Sequence, residues 1–362
     1  MTDSSATPRR WCLDWPTSGG GRVATADLKT VPEDFRVDEI LDDFPVITDL
    51  SEVSGSGEHL CLRLEKSGDN TEYVARELAK LSGCRAFDVG FCGLKDRHAV
   101  TRQWFSIYRP GLVSEDEAYL ARVAERWQVV GACRSSRKLR RGDHQGNRFV
   151  ISLRQVSGDR ERIDQALARV KGQGAPNYFG PQRFGHDGSN LDRAASMDPD
   201  ALDSRGRRGK GKKRGGAGAS KNVLYFSAAR SWIFNQILAA RVKSGDWLSP
   251  MDGEPGLNGQ PGTVTGPLWG DGGTTAEEAQ ARLEWQIAEQ YPELLKVFST
   301  TRMKPERRPL VARPADLNWH WLDDDCLQVA FSLAPGQYAT TVLSDLFELE
   351  DRSLGQHNKQ HG

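Results

Sequence analysis

Two stretches that can build a hydrophobic core flank one that cannot, and this division limits the chain more than any other feature. Residues 204–221, SRGRRGKGKKRGGAGASK, carry seven basic residues and no acid between Arg205 and Arg214, and most of the rest is glycine, alanine or serine. Such a segment buries too little apolar surface to offset the entropy of ordering it, so a disordered loop is expected over about 204–221. The chain has 362 residues, more than a single core ordinarily needs, which points to two domains or one domain carrying a large insertion.

The two ends share one style. Leu60, Leu62 and Leu64 alternate as in a half-buried strand, and Leu327, Val329, Phe331 and Leu333 do the same near the C-terminus. Asn70 or Thr71 caps a helix that places Val74, Leu78 and Leu81 on one face. Strands are expected at 103–107 and 149–153, and a helix through Ile163, Leu167 and Val170. Pro335-Gly336 turns the chain into a short helix through Tyr338, Val342 and Leu346. The middle is different. PNYFGPQRFG (176–185) reads as a turn between units, SAARSWIFNQILAARV (227–242) as a helix, 250–273 as Gly- and Pro-rich sequence, and 277–289 as a charged helix. Similar ends around a different middle suggest an inserted domain.

Charge and cysteine usage narrow the class. Forty-nine basic residues balance forty-nine acidic ones, so net charge gives no support to nucleic-acid binding, although a local positive face matters more than the sum. Arg134, Arg137, Lys138, Arg140 and Arg141 form one such cluster. The six cysteines contain no CxxC pair, which speaks against zinc or a disulfide framework and for a reducing cytoplasm. No apolar run approaches the roughly 20 residues of a membrane span, and the N-terminus has no apolar core of a secretory signal. Nothing calls for an obligate oligomer, so a monomer is expected.

The most suggestive segment is GLKDRHAVTRQWFS, from Gly93. Asp96 lies between Lys95 and Arg97 on an expected loop between two strands, and nearby cations favour its carboxylate form. That pattern suits a nucleophile or base, and equally a phosphate-binding loop with a counter-ion. His98 is a minor acid–base candidate. The seven histidines show no metal-ligand spacing, and neither a phosphate-cradling GxxxxGK[ST] nor a GxGxxG turn occurs. Chemistry that needs neither metal nor cofactor is expected.

Six strings, in order, carry a resemblance: KTVPEDF (29–35), GLKDRHAVTRQWF (93–105), GNRF (146–149), PNYFGPQRFG (176–185), SAARSWIFNQ (227–236) and FSLAPGQYATTVL (331–343). With these the chain resembles the TruD family of tRNA pseudouridine synthases along nearly its whole length. The resemblance implies that Asp96 is the catalytic nucleophile and Lys29 its ion-pair partner. It also implies that Phe35, Asn147, Phe149 and Phe331 line the uridine pocket. The implied fold is α+β: a catalytic domain with a mainly antiparallel sheet (1–172 and 307–352), interrupted by an inserted α/β TRUD domain (173–306) and ending in a flexible tail (353–362). The basic glycine-rich run is not part of the family pattern.

The implied activity is isomerisation of uridine to pseudouridine in tRNA, at position 13 if the usual target holds. The reaction breaks the bond from uracil N1 to the ribose and rebonds through C5, so no cofactor is needed. A carboxylate is required to attack ribose C1′ or the uracil ring, or to take a sugar proton, and Asp96 suits all three roles. It is also the economical base for the C5 proton. The uridine must be extruded from the folded RNA. Aromatic faces such as Phe35, Phe149 and Phe331 would stack on it at roughly 1–3 kcal/mol each, although core packing explains a phenylalanine on an alternating strand as well. Asn147 offers an amide to a uracil edge, or is simply a turn residue. The basic cluster 134–141 is a solvated face by default, yet just before GNRF it is well placed to grip tRNA phosphates. A non-catalytic RNA-binding module on the same scaffold is the alternative, and Asp96 together with Lys29, Asn147 and Phe149 argues against it. A metal-dependent nuclease lacks a ligand cluster.

Overall fold

The expected alternating segments assemble into one eleven-stranded sheet. The computed structural model describes residues 10–42, 44, 53–198, 217–257, 262–299 and 303–354. Within it the chain divides into two compact units, one of 23–165, 314–337 and 347–362, the other of 1–22, 166–313 and 338–346. The division differs from the expected one: residues 10–22 and 338–346 belong with the central segment and not with the sheet. The expected loop at 204–221 lies outside the described residues up to 216, and from Ala217 the backbone is helical.

The sheet unit contains β1 (Ala24–Leu28), β2 (Phe35–Ile40), β3 (Ser54–Gly55), β4 (His59–Lys66), β5 (Val89–Phe91), β6 (Val100–Tyr108), β7 (Gln128–Ser135), β8 (Gly146–Gly158), β9 (Ala315–Trp321), β10 (Leu327–Leu333) and β11 (Phe347–Asp351). The main path runs β9-β10-β8-β2-β6-β4-β7-β3, with β5 beside β6 and β1 between β8 and β11. Most pairings are antiparallel; β1 with β11, β2 with β6 and β3 with β7 are parallel. The thirteen-residue β8 organises the site, because its first half pairs with both β2 and β10 and its second half with β1.

Burial follows strand position. β4 is central, so both its faces are covered: Leu60, Leu62 and Leu64 pack with α1 (Thr71–Ser82) and α2 (Asp116–Ala124), whereas Cys61 packs with Cys92, Trp104 and Cys133 on the other side. The alternation therefore marks two cores and not one wet face. Asn70 caps α1 by accepting the Tyr73 N–H at 2.8 Å, and Gly83 ends it in the left-handed conformation.

Arg134 departs from its expected place on an RNA-facing surface. It is buried, and its guanidinium donates to both Asp116 oxygens at 2.7 and 2.8 Å. Arg109 reaches the same carboxylate at 3.3 Å. The cause is topological: Arg134 lies on β7, beside α2, where an unpaired charge would be costly.

The second unit is led by helices: the end of α3 (Arg160–Gln173), then α4 (Ser189–Ala195), α5 (Ala217–Ser244) and α6 (Glu278–Ala288). Its strands form two short antiparallel pairs, 265–268 with 306–309 and 175–176 with 311–312. From Phe226 to Val242 α5 is mostly buried, and it fills the core with Trp232, Phe234, Ile237 and Leu238, with Asn235 and Arg241 buried alongside. PNYFGPQRFG is not a surface turn: Tyr178, Phe179 and Phe184 are core residues, and Phe179 and Asn235 exchange hydrogen bonds of 2.9 Å in both directions.

Replacing Asp116 with alanine leaves two buried guanidiniums without a counter-ion. A loss of about 3–5 kcal/mol in unfolding free energy is expected, read as a lower urea midpoint at unchanged slope.

Candidate active site

The segment KTVPEDF is a strand end, a turn and a strand start. Lys29 follows β1 directly and takes a left-handed backbone (φ 56°), unusual for a side chain with a Cβ. Pro32–Asp34 then makes one 3-10 turn. Asp34 holds the turn by accepting the Val31 N–H at 3.1 Å and two bonds from Arg154 at 2.7 and 2.9 Å. Phe35 opens β2 on the buried face.

Lys29 is 4% exposed, and its ammonium donates to Asp96 Oδ2. It stands 3.7 Å from Asp351 Oδ2, which β11 brings alongside because Asp351 pairs with Leu28 of β1. The same nitrogen lies 4.8 Å from the Phe35 ring centre. Asp96 Oδ1 accepts the His98 N–H at 3.0 Å, and the Asp96 side chain remains 34% exposed, so one edge is open to solvent. Burial alone would raise its pKa. The Lys29 hydrogen bond and charge, with the His98 N–H, overcome that effect and hold the carboxyl below its ordinary 3.8.

Lys95 does not serve Asp96. It points away to Glu39 Oε2 at 2.6 Å, and both side chains are buried. That pair belongs to a clamp on the loop: Gln103 Nε2 donates to the Gly93 carbonyl at 2.5 Å, the Thr71 hydroxyl donates to Gln103 Oε1 at 2.9 Å, and Lys95 N–H donates to that same hydroxyl at 2.9 Å. Glu39, Gln103, Thr71 and Asp351 were missed at the level of sequence. Glu39 alone left a signal there, as a charge at a core-facing position of a strand.

The expected pocket residues meet through strand register. Phe149 stands opposite Val37 on one side and Phe331 on the other, and Asn147 opposite Glu39 and Leu333. The Phe35 and Phe149 ring centres are 6.1 Å apart and edge-on; those of Phe149 and Phe331 are 5.7 Å apart. All three rings are buried, Phe331 most deeply at 1% exposed against 6% for Phe35 and 7% for Phe149. A Cβ at Gly146 would stand 2.6 Å from the Leu333 carbonyl oxygen, which explains the glycine before Asn147. Asn147 Oδ1 is buried and accepts no hydrogen bond among the described residues.

Of the basic cluster, Lys138 donates to the Phe87 carbonyl, Arg137 pairs with Asp143 at 3.0 Å, and Arg141 lies over the Phe91 ring at 4.3 Å. Arg140 is exposed, and Arg134 is not part of that surface. A groove of about 620 Å³ on the other face of the sheet, lined by Arg36, Asp38, Arg102 and Arg148 among others, includes neither Asp96 nor Lys29. Among the described residues no group of three or more histidine, cysteine, aspartate or glutamate side chains could hold a metal, and no helix is long and apolar enough to cross a membrane.

Comparison with known proteins places this geometry. Residues 19–192 match the family model of tRNA pseudouridine synthase D (TruD). A tRNA pseudouridine synthase D of Marinobacter nauticus is 61% identical over 356 residues, covering 97% of this chain and 99% of its own. The chain belongs to the TruD family. Another tRNA pseudouridine synthase D, from Cellvibrio japonicus, is 40% identical over 344 residues, covering 94% of this chain and 95% of its own. The crystal structure of a Methanosarcina mazei chain described as a TruD superposes with a TM-score of 0.62 at 18% identity, over 91% of this chain and 95% of that one, a likeness of fold. Across the TruD fold as this chain builds it, Asp96, Lys29, Phe35, Asn147, Phe149 and Phe331 all fall in the sheet unit.

Because the Asp96 pKa is depressed, the stability that the Lys29 pair contributes is present at neutral pH and lost as pH falls through the folded-state value. In Lys29→Met, burial acts with less opposition, so the Asp96 pKa is expected to rise above its wild-type value. Carboxyl 13C NMR titration reads this directly, and an unchanged Asp96 titration would refute the assignment of Lys29 as its principal counter-ion.

Proposed function

We propose that this chain converts uridine to pseudouridine in tRNA, at position 13, with Asp96 as the catalytic nucleophile and no cofactor or metal. The observation that carries the reading is Asp96 itself: a partly exposed carboxylate, bound on one oxygen by a buried ammonium that also lies against the Phe35 ring, and on the other by a backbone N–H. Membership of the TruD family supports the substrate. The enzyme acts as a monomer in the cytoplasm, where its six free thiols stay reduced.

In this reading the extruded uridine enters with its glycosidic bond at Asp96. In attack at C1′ an Asp96 Oδ–C1′ bond forms as N1–C1′ breaks, the uracil turns, and the Oδ–C1′ bond breaks as C5–C1′ forms. C5 then loses its proton and N1 ends protonated, so the product is an isomer and nothing is oxidised. The Lys29 ammonium keeps Asp96 ionised for attack or for proton removal. Phe35 and Phe149, backed by Phe331, supply an apolar wall for the base. The unpaired Asn147 acceptor suits the uracil N3–H, a donor that cytosine lacks; an unmet buried acceptor costs about 1–3 kcal/mol. Arg137, Lys138, Arg140 and Arg141 contact the RNA backbone.

Tritium release from tRNA carrying 5-tritiated uridine, without added metal or nucleotide, tests the proposal. Wild type should release tritium, and Asp96→Ala should lose on the order of 10³-fold or more in rate while still binding tRNA. Equal release by the variant would remove Asp96 from the chemistry. Tight binding without release by wild type would favour the non-catalytic module.

A further inference from the structure

Two of the six strings, and the part of the sixth from Tyr338 onward, lie in the helical unit, and parts of them converge. Arg183 of PNYFGPQRFG donates to the Ser227 hydroxyl of SAARSWIFNQ at 3.1 Å and to the Tyr338 hydroxyl at 3.0 Å. Its guanidinium lies 5.4 Å from the Phe179 ring centre, and that of Arg308 lies 4.0 Å from the same ring. Arg308 donates to the Asn177 side-chain oxygen at 2.7 Å and to its carbonyl at 3.2 Å.

Two cations thus share one aromatic ring, and among the described residues neither meets a carboxylate. The other inward-facing arginines of this unit do: Arg241 pairs with Glu254 and Asp246, Arg307 with Glu284, and Arg230 with Glu306. Burial and the neighbouring Arg183 charge pull the Arg308 pKa down to about 10, as expected where a counter-charge is missing. Among the described residues, the buried polar atoms of this unit without a partner include Arg308 Nε and the hydroxyl of Thr341, a residue that lies beside Gly180. Paired guanidiniums with spare donors and nearby hydroxyls match a tetrahedral oxyanion.

We propose that Arg183 and Arg308, with Tyr338 and Thr341, form a subsite for one phosphate of an RNA backbone. The assignment to RNA rests on the reading of this chain as a tRNA-modifying enzyme. A di- or triphosphate ligand fits less well, since the chain has no GxxxxGK[ST] loop to cradle one.

Binding of tRNA to the full chain over a series of potassium chloride concentrations tests the subsite without using turnover. Arg183→Gln should weaken binding about tenfold at low salt and reduce the slope of log affinity against log salt by about one. Arg183→Lys, which keeps the charge, should retain most of the slope. Circular dichroism and the melting temperature establish that each variant is folded, and Arg183 is the position to substitute because Arg308 is the more deeply packed. Unchanged affinity and slope in a folded Arg183→Gln protein would overturn the proposal. So would inorganic phosphate that binds at Arg183, by 31P NMR, while the substitution leaves tRNA affinity unmoved. Absence of tritium release from wild type would sink the isomerase reading and leave this binding test standing.

Discussion

A single buried ammonium ties together three remote parts of the sheet unit. Lys29 follows β1, Asp96 lies on the loop before β6, and Asp351 ends β11. Lys29 makes these contacts from a left-handed backbone, which costs a residue with a Cβ about 1–2 kcal/mol. β1, held between β8 and β11, carries that strain. The same contact decides the charge state of Asp96, because burial and ion pairing oppose each other there and pairing prevails. Strand arrangement and the charge state of Asp96 therefore meet at one nitrogen atom.

A separate device fixes the loop itself. Glu39 and Lys95 form a buried pair, and Thr71 and Gln103 hold the backbone at Gly93 and Lys95. The clamp anchors the chain just before Asp96 and leaves the Asp96 carboxylate free of it. A rigid loop with one partly open carboxylate is what pre-organised attack requires. Had Lys95 paired with Asp96, as adjacency suggested, the carboxylate would have been covered by its own neighbour.

How much was legible depended on whether the deciding partner was near in sequence. The α1 cap, the alternation of β4 and β10, and the loop at 93–98 could be read because each rests on spacing within a few residues. The fate of Arg134 could not, because Asp116 lies eighteen positions earlier and only the packing of α2 on β7 brings the two together. Phe331 showed the same alternation whether it faced a ligand or the core, and the register against Phe149 put it in the core. PNYFGPQRFG has the composition of a turn, yet Asn235 satisfies the backbone of Phe179 and lets an irregular segment be buried. Asp96 was legible as an ionisable loop carboxylate, and Lys29 as its partner only through the family resemblance.

Folded proteins rarely leave buried polar groups without partners, so the positions of the exceptions carry information. In the sheet unit one exception is the Asn147 acceptor, in the strand row next to Phe149. In the helical unit, Arg308 Nε and the Thr341 hydroxyl have no partner, and Arg183 and Arg308 meet no carboxylate among the described residues. An acceptor without a donor suits an imide N–H, and paired cations without an anion suit a phosphate. These three are among twelve such atoms in the described residues, and they differ in chemistry: one is an acceptor, and the others can donate. Packing would gain stability by satisfying either kind from within the chain, with a serine opposite Asn147 or an acid opposite Arg183. In this reading both persist because an internal partner would compete with the substrate for the same groups.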